Sequence, residues 1–495
     1  MLPLYALLFL SLLVWLPVLF RGIERRGFIL LLGWLAVAPI AVNLVGKPGT
    51  NPFFSSVAKK PEARADSRGT QGGGYFTHHE ASIKLTDFFQ PTRVLLGSFV
   101  IVFLLNAIVR RKRFGSFDRT EKFAGIFAVL LLASVFFQSE RAAFGLRIAS
   151  DAFIIPFVAY FCARRLVTTE DQLRQLIRVA GSVGIYLIII GLVERLTLQG
   201  LFVRVQGPFD DRNEMYIVMV VVFFMALVDF VQSVFLRKEE GALPRIAQMV
   251  LLVFAPLVIL LGWSRGNLMG LLLGIWVFVF LGSRLVGFRP KMALVGLVLL
   301  LGPIIAVGFY ELTPEDIVES RIVRSRTVYG RLGAWQKMFE VGFESPIMGI
   351  GLNNLRNVLA ENRTRFEGVT SENNPHNSVL SIFAELGVFG LLFYIAIILS
   401  IIQSGTNLYR RGSDLRERWR GITVIAIVLA YLVPSLFVNS LYIPGLCHVY
   451  VYAYIGAVAG LHNSRRLIST VSSCAANGQW LQRSMHARAE RTYTV

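Results

Sequence analysis

VLLGSFVIVFLLNAIVRRKRFGSFDRTEKFAGIFAVLLLASVFFQ, from Val94 to Gln138, decides the fold. Two predominantly apolar runs without a charged residue, Val94 to Val109 and Phe123 to Gln138, flank a short polar link that opens on Arg110, Arg111, Lys112 and Arg113. As helices, and with their flanks, runs of this length approach the ~30 Å of a bilayer's hydrocarbon core. The strict alternation of a transmembrane barrel strand is absent from both. A membrane helix hairpin with a basic link is the reading.

The rest of the chain repeats this pattern. The 495 residues are 55% hydrophobic and only 16% charged, with a mean hydropathy of +0.60, outside the range of a soluble domain. Further runs lie at Leu251 to Leu261, Leu268 to Leu281 and Leu294 to Phe309. In all, about thirteen helices are expected, near 2–20, 27–45, 92–109, 121–138, 151–163, 173–196, 214–236, 245–263, 267–282, 291–310, 376–402, 421–439 and 444–461. The fold class is therefore an all-α polytopic integral membrane protein of about 12–13 transmembrane helices with one large extracytoplasmic loop. Residues 1–461 form a single helical domain and 462–495 a basic cytoplasmic tail resting near anionic headgroups.

The net charge of +19 would suggest nucleic acid in a soluble chain. Here it is concentrated in every second link: Arg25 and Arg26, Arg110 to Arg113, Arg164 and Arg165, Arg237 and Lys238, Arg284 with Arg289 and Lys291, Arg410 and Arg411. That is the positive-inside pattern, so charge reports topology and no nucleic-acid partner is expected. Residues 1–20 lack a basic n-region and a small-residue cleavage site and read as a retained first helix. Cys162, Cys447 and Cys474 form no disulfide framework. His78-His79 lacks further ligands, and Asp210-Asp211 is a lone acidic pair, so neither metal nor cofactor is expected.

Three polar segments fall on the side opposite the basic links: 46–91, 197–213 and 311–375. The first is Gly-, Pro- and Ser-rich and reads as a loose loop. The third, the longest, bears Arg321, Arg324, Arg326 and Arg331 with no Asp or Glu among them, although the segment as a whole is nearly balanced in charge. If a helix runs from about Ile317 to Val341, Arg324, Val328, Arg331 and Trp335 share one face. Guanidinium forks on such a stripe suit a pyrophosphate; Gly330 and Gly333 are possible breaks, and a solvated amphipathic face is the bland alternative.

Trp263-Ser264-Arg265-Gly266 separates two apolar runs so closely that Arg265 sits at the membrane boundary, at a helix N-terminus suited to an anion. Pro346, Gly349, Gly351 and Asn353-Asn354 form a turn-rich return to the membrane, with Asn side chains available to sugars. Asn373-Asn374-Pro375-His376-Asn377 then opens a long helix whose outer end carries His376, a proton acceptor for a sugar hydroxyl or a partner for phosphate oxygen. Glu385, nine residues on, lies about 13 Å further along a continuous helix and faces the other way, so a supporting role fits it better than pairing with His376. Asn213 closes 197–213 as an N-cap.

Ser264-Arg265-Gly266, Gly330-Arg331 with Trp335, Pro346 with Gly349 and Gly351, and His376-Asn377 followed by Glu385, Gly387 and Gly390 resemble the O-antigen ligase and O-antigen polymerase family over about residues 200–400. Gly207 to Asn213 resembles a further motif of that family. The resemblance implies a metal-independent, inverting glycosyltransferase facing the periplasm in the bacterial inner membrane. The donor would be an undecaprenyl-pyrophosphate-linked glycan and the acceptor a glycan or lipid A core, with membrane lipids around it. Arg265, Arg331 and His376 take the catalytic positions. Arg324 and Arg326 lie within the matching segment but on none of its motifs and, with Arg321, are auxiliary candidates for substrate contact beside Trp335, Asn377 and Asn213; Glu385 is expected to support the site. The rival of a different class is a transporter or flippase that binds the same lipid-linked glycan without chemistry; its charged groups would sit near the midplane rather than at the boundary.

Overall fold

The structure, a computed structural model, describes residues 28, 31–36, 116–197, 212–235, 241–262, 264–286, 326–361, 365–366, 369–370, 376–437 and 447–467. The helices expected at 2–20, 92–109 and 291–310, the 46–91 loop, Asp210 and Asp211, and most of the C-terminal tail lie outside them. The protein is a helical polytopic membrane protein, and seven helices among the described residues are long and apolar enough to cross a membrane.

The elements in order are α1 (Arg119–Phe137), α2 (Ala142–Leu166), α3 (Glu170–Thr197), α4 (Arg212–Phe235), α5 (Arg245–Leu261), α6 (Arg265–Gly282), α7 (Arg326–Glu344) and α8 (Leu355–Glu361). A hairpin of β1 (Arg365–Phe366) and β2 (Val369–Thr370) follows, antiparallel, with Arg365 opposite Thr370. The chain continues with α9 (Ser378–Arg411) and α10 (Leu415–Ser435), then α11 (448–467).

α2 is longer than the 151–163 expected. Pro156 cannot donate to the carbonyl of residue 152, and a π-helical turn over Ala149–Ile154 precedes it. The polar residues that made the run look short are accommodated, with Arg147 Nε 3.9 Å from the buried Asp151 carboxylate.

α4 and α10 are the most enclosed spans. α6 lies against α10, where Gly270 and Gly274 bring the two helices close at Ala430. Phe224, Phe278 and Trp419 tie α4, α6 and α10 together nearer the other end of α6, with ring centroids 6.2 Å and 5.2 Å apart.

One end of the bundle is closed by ion pairs. The Asp118–Glu121 capping box starts α1, and Arg164 and Arg165 at the end of α2 bind Glu121. Glu170 at the start of α3 bridges Arg420 and Arg465, and Arg465 also reaches Asp414 at 3.0 Å. The first residues of the 462–495 tail extend α11, and Arg465 there pairs with three converging carboxylates, Glu170, Asp414 and Glu417. A small polar cavity of about 30 Å³ at this end is lined by Glu170, Arg174, Asp229, Arg416, Arg420 and Tyr454.

Candidate active site at the opposite end of the bundle

α6 and α10 run antiparallel: Phe278 meets Trp419 near one end, and Gly270 meets Ala430 and Pro434 near the other. The N-terminus of α6 and the C-terminus of α10 therefore share the end opposite the ion pairs. Ser264 caps α6, its hydroxyl accepting from the Asn267 N–H at 3.5 Å, and Arg265 is the first helical residue, exposed. Just past α10, the Phe437 carbonyl accepts from Arg331 Nη1 at 3.4 Å. Arg265 and Arg331, 66 positions apart in sequence by their numbers, are thus both tied to the α6–α10 end.

Arg331 rides on α7. Gly330 and Gly333, read as possible breaks, are buried within an unbroken helix. α7 packs through Met338 and Val341 onto Leu355 and Leu359 of α8 and Ala384 of α9, with Trp335 and Leu380 at the margin of this small core. That packing outweighs the helix cost of glycine, about 1 kcal/mol each. Trp335 is half-buried in this cluster, so its first task is to fix α7. Arg321 and Arg324 lie outside the described residues, and Arg326 is the first residue of α7.

His376 does not begin a helix, as 376–402 would have it. Asn377 is the N-cap, its Oδ1 accepting from the Leu380 N–H at 3.0 Å, and α9 starts at Ser378. The Asn377 side chain is therefore buried and used in capping. His376 precedes the cap with φ +46°, a left-handed conformation uncommon for a residue with a side chain. Such strain of about 1–3 kcal/mol persists where surrounding structure imposes it, commonly at functional sites. α7 and α9 meet where Gly342 abuts Phe383, so the helix after His376 is braced by the helix that carries Arg331.

α9 is also not continuous. Gly387 has φ +66° and ψ −167°, and the Pro346–Gly351 turn docks into the break. Ile350 and Gly351 donate to the Ala384 and Glu385 carbonyls, each at 3.0 Å, and Val388 donates to Pro346 at 2.7 Å. Gly349, at φ +70°, brings its backbone so near Glu385 that a Cβ would lie 2.3 Å from the Glu385 carbonyl carbon. Glu385 itself is buried, and its Oε1 accepts from the Leu355 N–H at 3.2 Å, which caps α8.

The turn is pinned on its other side by α1. Leu352 N–H donates to Ser134 Oγ at 2.9 Å, and Asn354 Nδ2 donates to the Gln138 carbonyl at 2.9 Å while its Oδ1 accepts from Glu140 N–H at 3.0 Å. Asn354, open to sugars in the sequence reading, is spent on the scaffold.

Asn213 is inside α4, which begins at Arg212, and is not its cap. It is buried, and its Oδ1 accepts from Asn267 Nδ2 at 3.0 Å. The N-termini of α4 and α6 are thereby locked together. Asn267 was absent from the sequence reading, although a polar residue two positions after Arg265 in an apolar helix is a usable signal.

A helical bundle with membrane-spanning helices, and with a broken helix and two arginines at one end, defines the class as a polytopic membrane protein. Residues 250–395 match the family model described as O-Antigen ligase, so the resemblance read from the motifs holds there. The match is narrower than 200–400: it takes in Arg265, Arg331, His376 and Glu385 and stops short of Asn213. The chain is also 26% identical over 119 residues to a Rickettsia conorii protein provisionally named a polysaccharide ligase. That alignment takes in 23% of this chain and 28% of the Rickettsia protein.

Proposed function

We propose that this protein transfers a glycan from a polyprenyl-pyrophosphate carrier, undecaprenyl pyrophosphate, to an acceptor hydroxyl. The acceptor is a glycan or lipid A core, and the reaction takes place at the periplasmic face of the bacterial inner membrane. The family match supports a ligase-like role in polysaccharide biosynthesis; donor, acceptor, sidedness and mechanism are our reading. The observation that carries it is the Arg331–Phe437 bond, which ties a guanidinium from the long polar segment to the bundle end where Arg265 opens α6.

In this reading the acceptor oxygen attacks the anomeric carbon from the face opposite the carrier, and the bond from that carbon to the phosphate oxygen breaks. The electron pair leaves with the pyrophosphate, and the configuration inverts. Arg265 and Arg331 stabilise the developing negative charge, with Arg321, Arg324 and Arg326 as auxiliary contacts; fixed guanidinium groups near lipid act with little screening. His376 accepts the hydroxyl proton. No metal step is required. Asn213, Asn377 and Trp335 serve the substrate by fixing α4, α9 and α7.

The test is transfer by purified protein, with lipid-linked donor and candidate acceptors in chelator. Arg265→Ala, Arg331→Ala and His376→Ala should each abolish product while the protein remains monodisperse. Normal product from all three variants would refute the assignment. Donor crossing the bilayer with no transfer to any acceptor would establish a flippase instead.

A further inference from the structure

At 100° per residue the surface of α7 divides three ways. Ala334, Met338 and Val341 face the core shared with α8 and α9 and are buried. Lys337, Glu340 and Glu344 form a charged edge, where Lys337 Nζ and Glu340 pair at 3.1 Å. On the side away from this core lies an apolar stripe, Leu332, Phe339 and Phe343, at i, i+7 and i+11, bordered by Gln336 and the charged edge. Phe339 and Phe343 stack with centroids 6.4 Å apart, yet they are 45% and 71% exposed.

The stripe does not stop at the end of α7. Ile347 and Met348 are also exposed, and their backbone abuts Gly387 in the break of α9. Beyond the break, Val388, Phe389, Leu392, Ile395 and Leu399 are exposed along one side of α9, the lipid-facing side of a membrane span. From Arg411 back to Val388 α9 rises about 36 Å, enough by itself to cross ~30 Å of hydrocarbon. Gly387 therefore sits at the membrane boundary farthest from Arg411, and the turn docked there sits at the same depth.

We infer that α7 is an in-plane membrane helix. Leu332, Phe339, Phe343, Ile347 and Met348 are immersed among the acyl chains of the adjoining leaflet, and Lys337, Glu340 and Glu344 remain in water. Continuity with the lipid face of α9 selects acyl chains as the occupant, and the charged edge beside the stripe is what an interfacial helix requires. The turn's irregular backbone is tolerated at this depth because it bonds to α9 and α1. Arg331, next to Leu332 but turned toward Phe437, is thereby held at a set depth. This goes beyond the transfer reading and stands without it.

The test uses the full chain with Cys474→Ser, leaving Cys162 and Cys447, both buried. Bimane is attached at Phe343→Cys or Glu344→Cys, and the protein is placed in phosphatidylcholine–phosphatidylglycerol liposomes. Phosphatidylcholine spin-labelled near the head of its acyl chain should quench position 343 about twofold more than position 344, which lies about 100° away around the helix on its charged edge. Phe339→Cys repeats the reading if Phe343→Cys fails to fold. Equal quenching at both edges, or none at 343 or 339, overturns the inference. Quenching that needs a spin-labelled polyprenyl phosphate assigns the stripe to a carrier tail, and protection that disappears on dilution with lipid assigns it to a second copy; either overturns it too. Glycan transfer is not read, so this outcome is separable from failure of the proposed activity.

Discussion

The Tyr216 hydroxyl donates to the Ala430 carbonyl at 2.8 Å, in the buried contact between α4 and α10. Ala430 is four residues before Pro434, which has no N–H, so this carbonyl lacks its usual helical donor. Tyr216→Phe leaves it unsatisfied in the bundle, at a cost of about 1–3 kcal/mol. Thermal unfolding in detergent should register that loss. Pro434→Ala restores a helical donor, so Tyr216→Phe should cost less in that background. Equal costs in both backgrounds would mean that the hydroxyl does not serve the carbonyl.

Gly387 and Gly349 are predicted to be intolerant positions. Both have positive φ, and a Cβ on Gly387 would lie 2.2 Å from the Ile347 carbonyl oxygen. Ala at either site incurs left-handed strain of about 1–3 kcal/mol together with a clash against backbone that cannot rotate away. Size-exclusion profiles of Gly387→Ala and Gly349→Ala should show aggregated or poorly accumulating protein. Gly33 has no neighbour within 4 Å of a built Cβ, so Gly33→Ala should behave as the parent does.

These glycines also mark what was legible in the sequence. The start of α6 at Ser264-Arg265 was readable because capping and apolar run length are local. The helix expected conditionally over about Ile317 to Val341 is present from Arg326 to Glu344 and runs through Gly330 and Gly333, which were read as possible breaks, since amphipathic packing outlasts single weak residues. The break in α9 was not legible, because nothing within 376–402 requires it. It exists by virtue of a turn some forty positions earlier whose peptide groups replace the helical hydrogen bonds. The Asn213–Asn267 pair and the pinning of Asn354 to α1 are likewise contacts between distant segments. A one-dimensional reading assigned Asn213 and Asn354 to capping and sugar contact for want of those partners.

Glu385 is predicted to act through α8 and not through substrate. Glu385→Gln keeps an acceptor for the Leu355 N–H and should retain transfer within a few-fold of the parent. Glu385→Leu removes the cap and should cost about 1–2 kcal/mol of stability. Loss of turnover in Glu385→Gln at unchanged melting temperature would instead make the carboxylate a reacting group.

His376 combines a reactive side chain with an unfavourable backbone, and the two separate by substitution. His376→Gly relieves left-handed strain and should hold or raise stability by up to about 1 kcal/mol. His376→Asn, another residue tolerant of that conformation, should leave folding intact. Both lack the imidazole and should lose transfer by about 100-fold or more, the usual contribution of a positioned proton acceptor. Retained transfer in the Asn variant would remove the proton-acceptor role.

Arg331 has two demands on one guanidinium, the Phe437 carbonyl on one side and, in the proposed reaction, a phosphate on the other. A planar fork can meet both at once, whereas an ammonium on a flexible stem presents one compact charge. Arg331→Lys should therefore keep the positive charge yet fall well short of the parent, by about 10- to 100-fold in turnover, with a smaller change in apparent donor affinity. Arg331→Ala should be lower still, because both charge and anchorage are gone. Steady-state rates at varied donor concentration check this. Full activity in Arg331→Lys would mean that charge alone suffices and that the bond to Phe437 does not orient the group for catalysis.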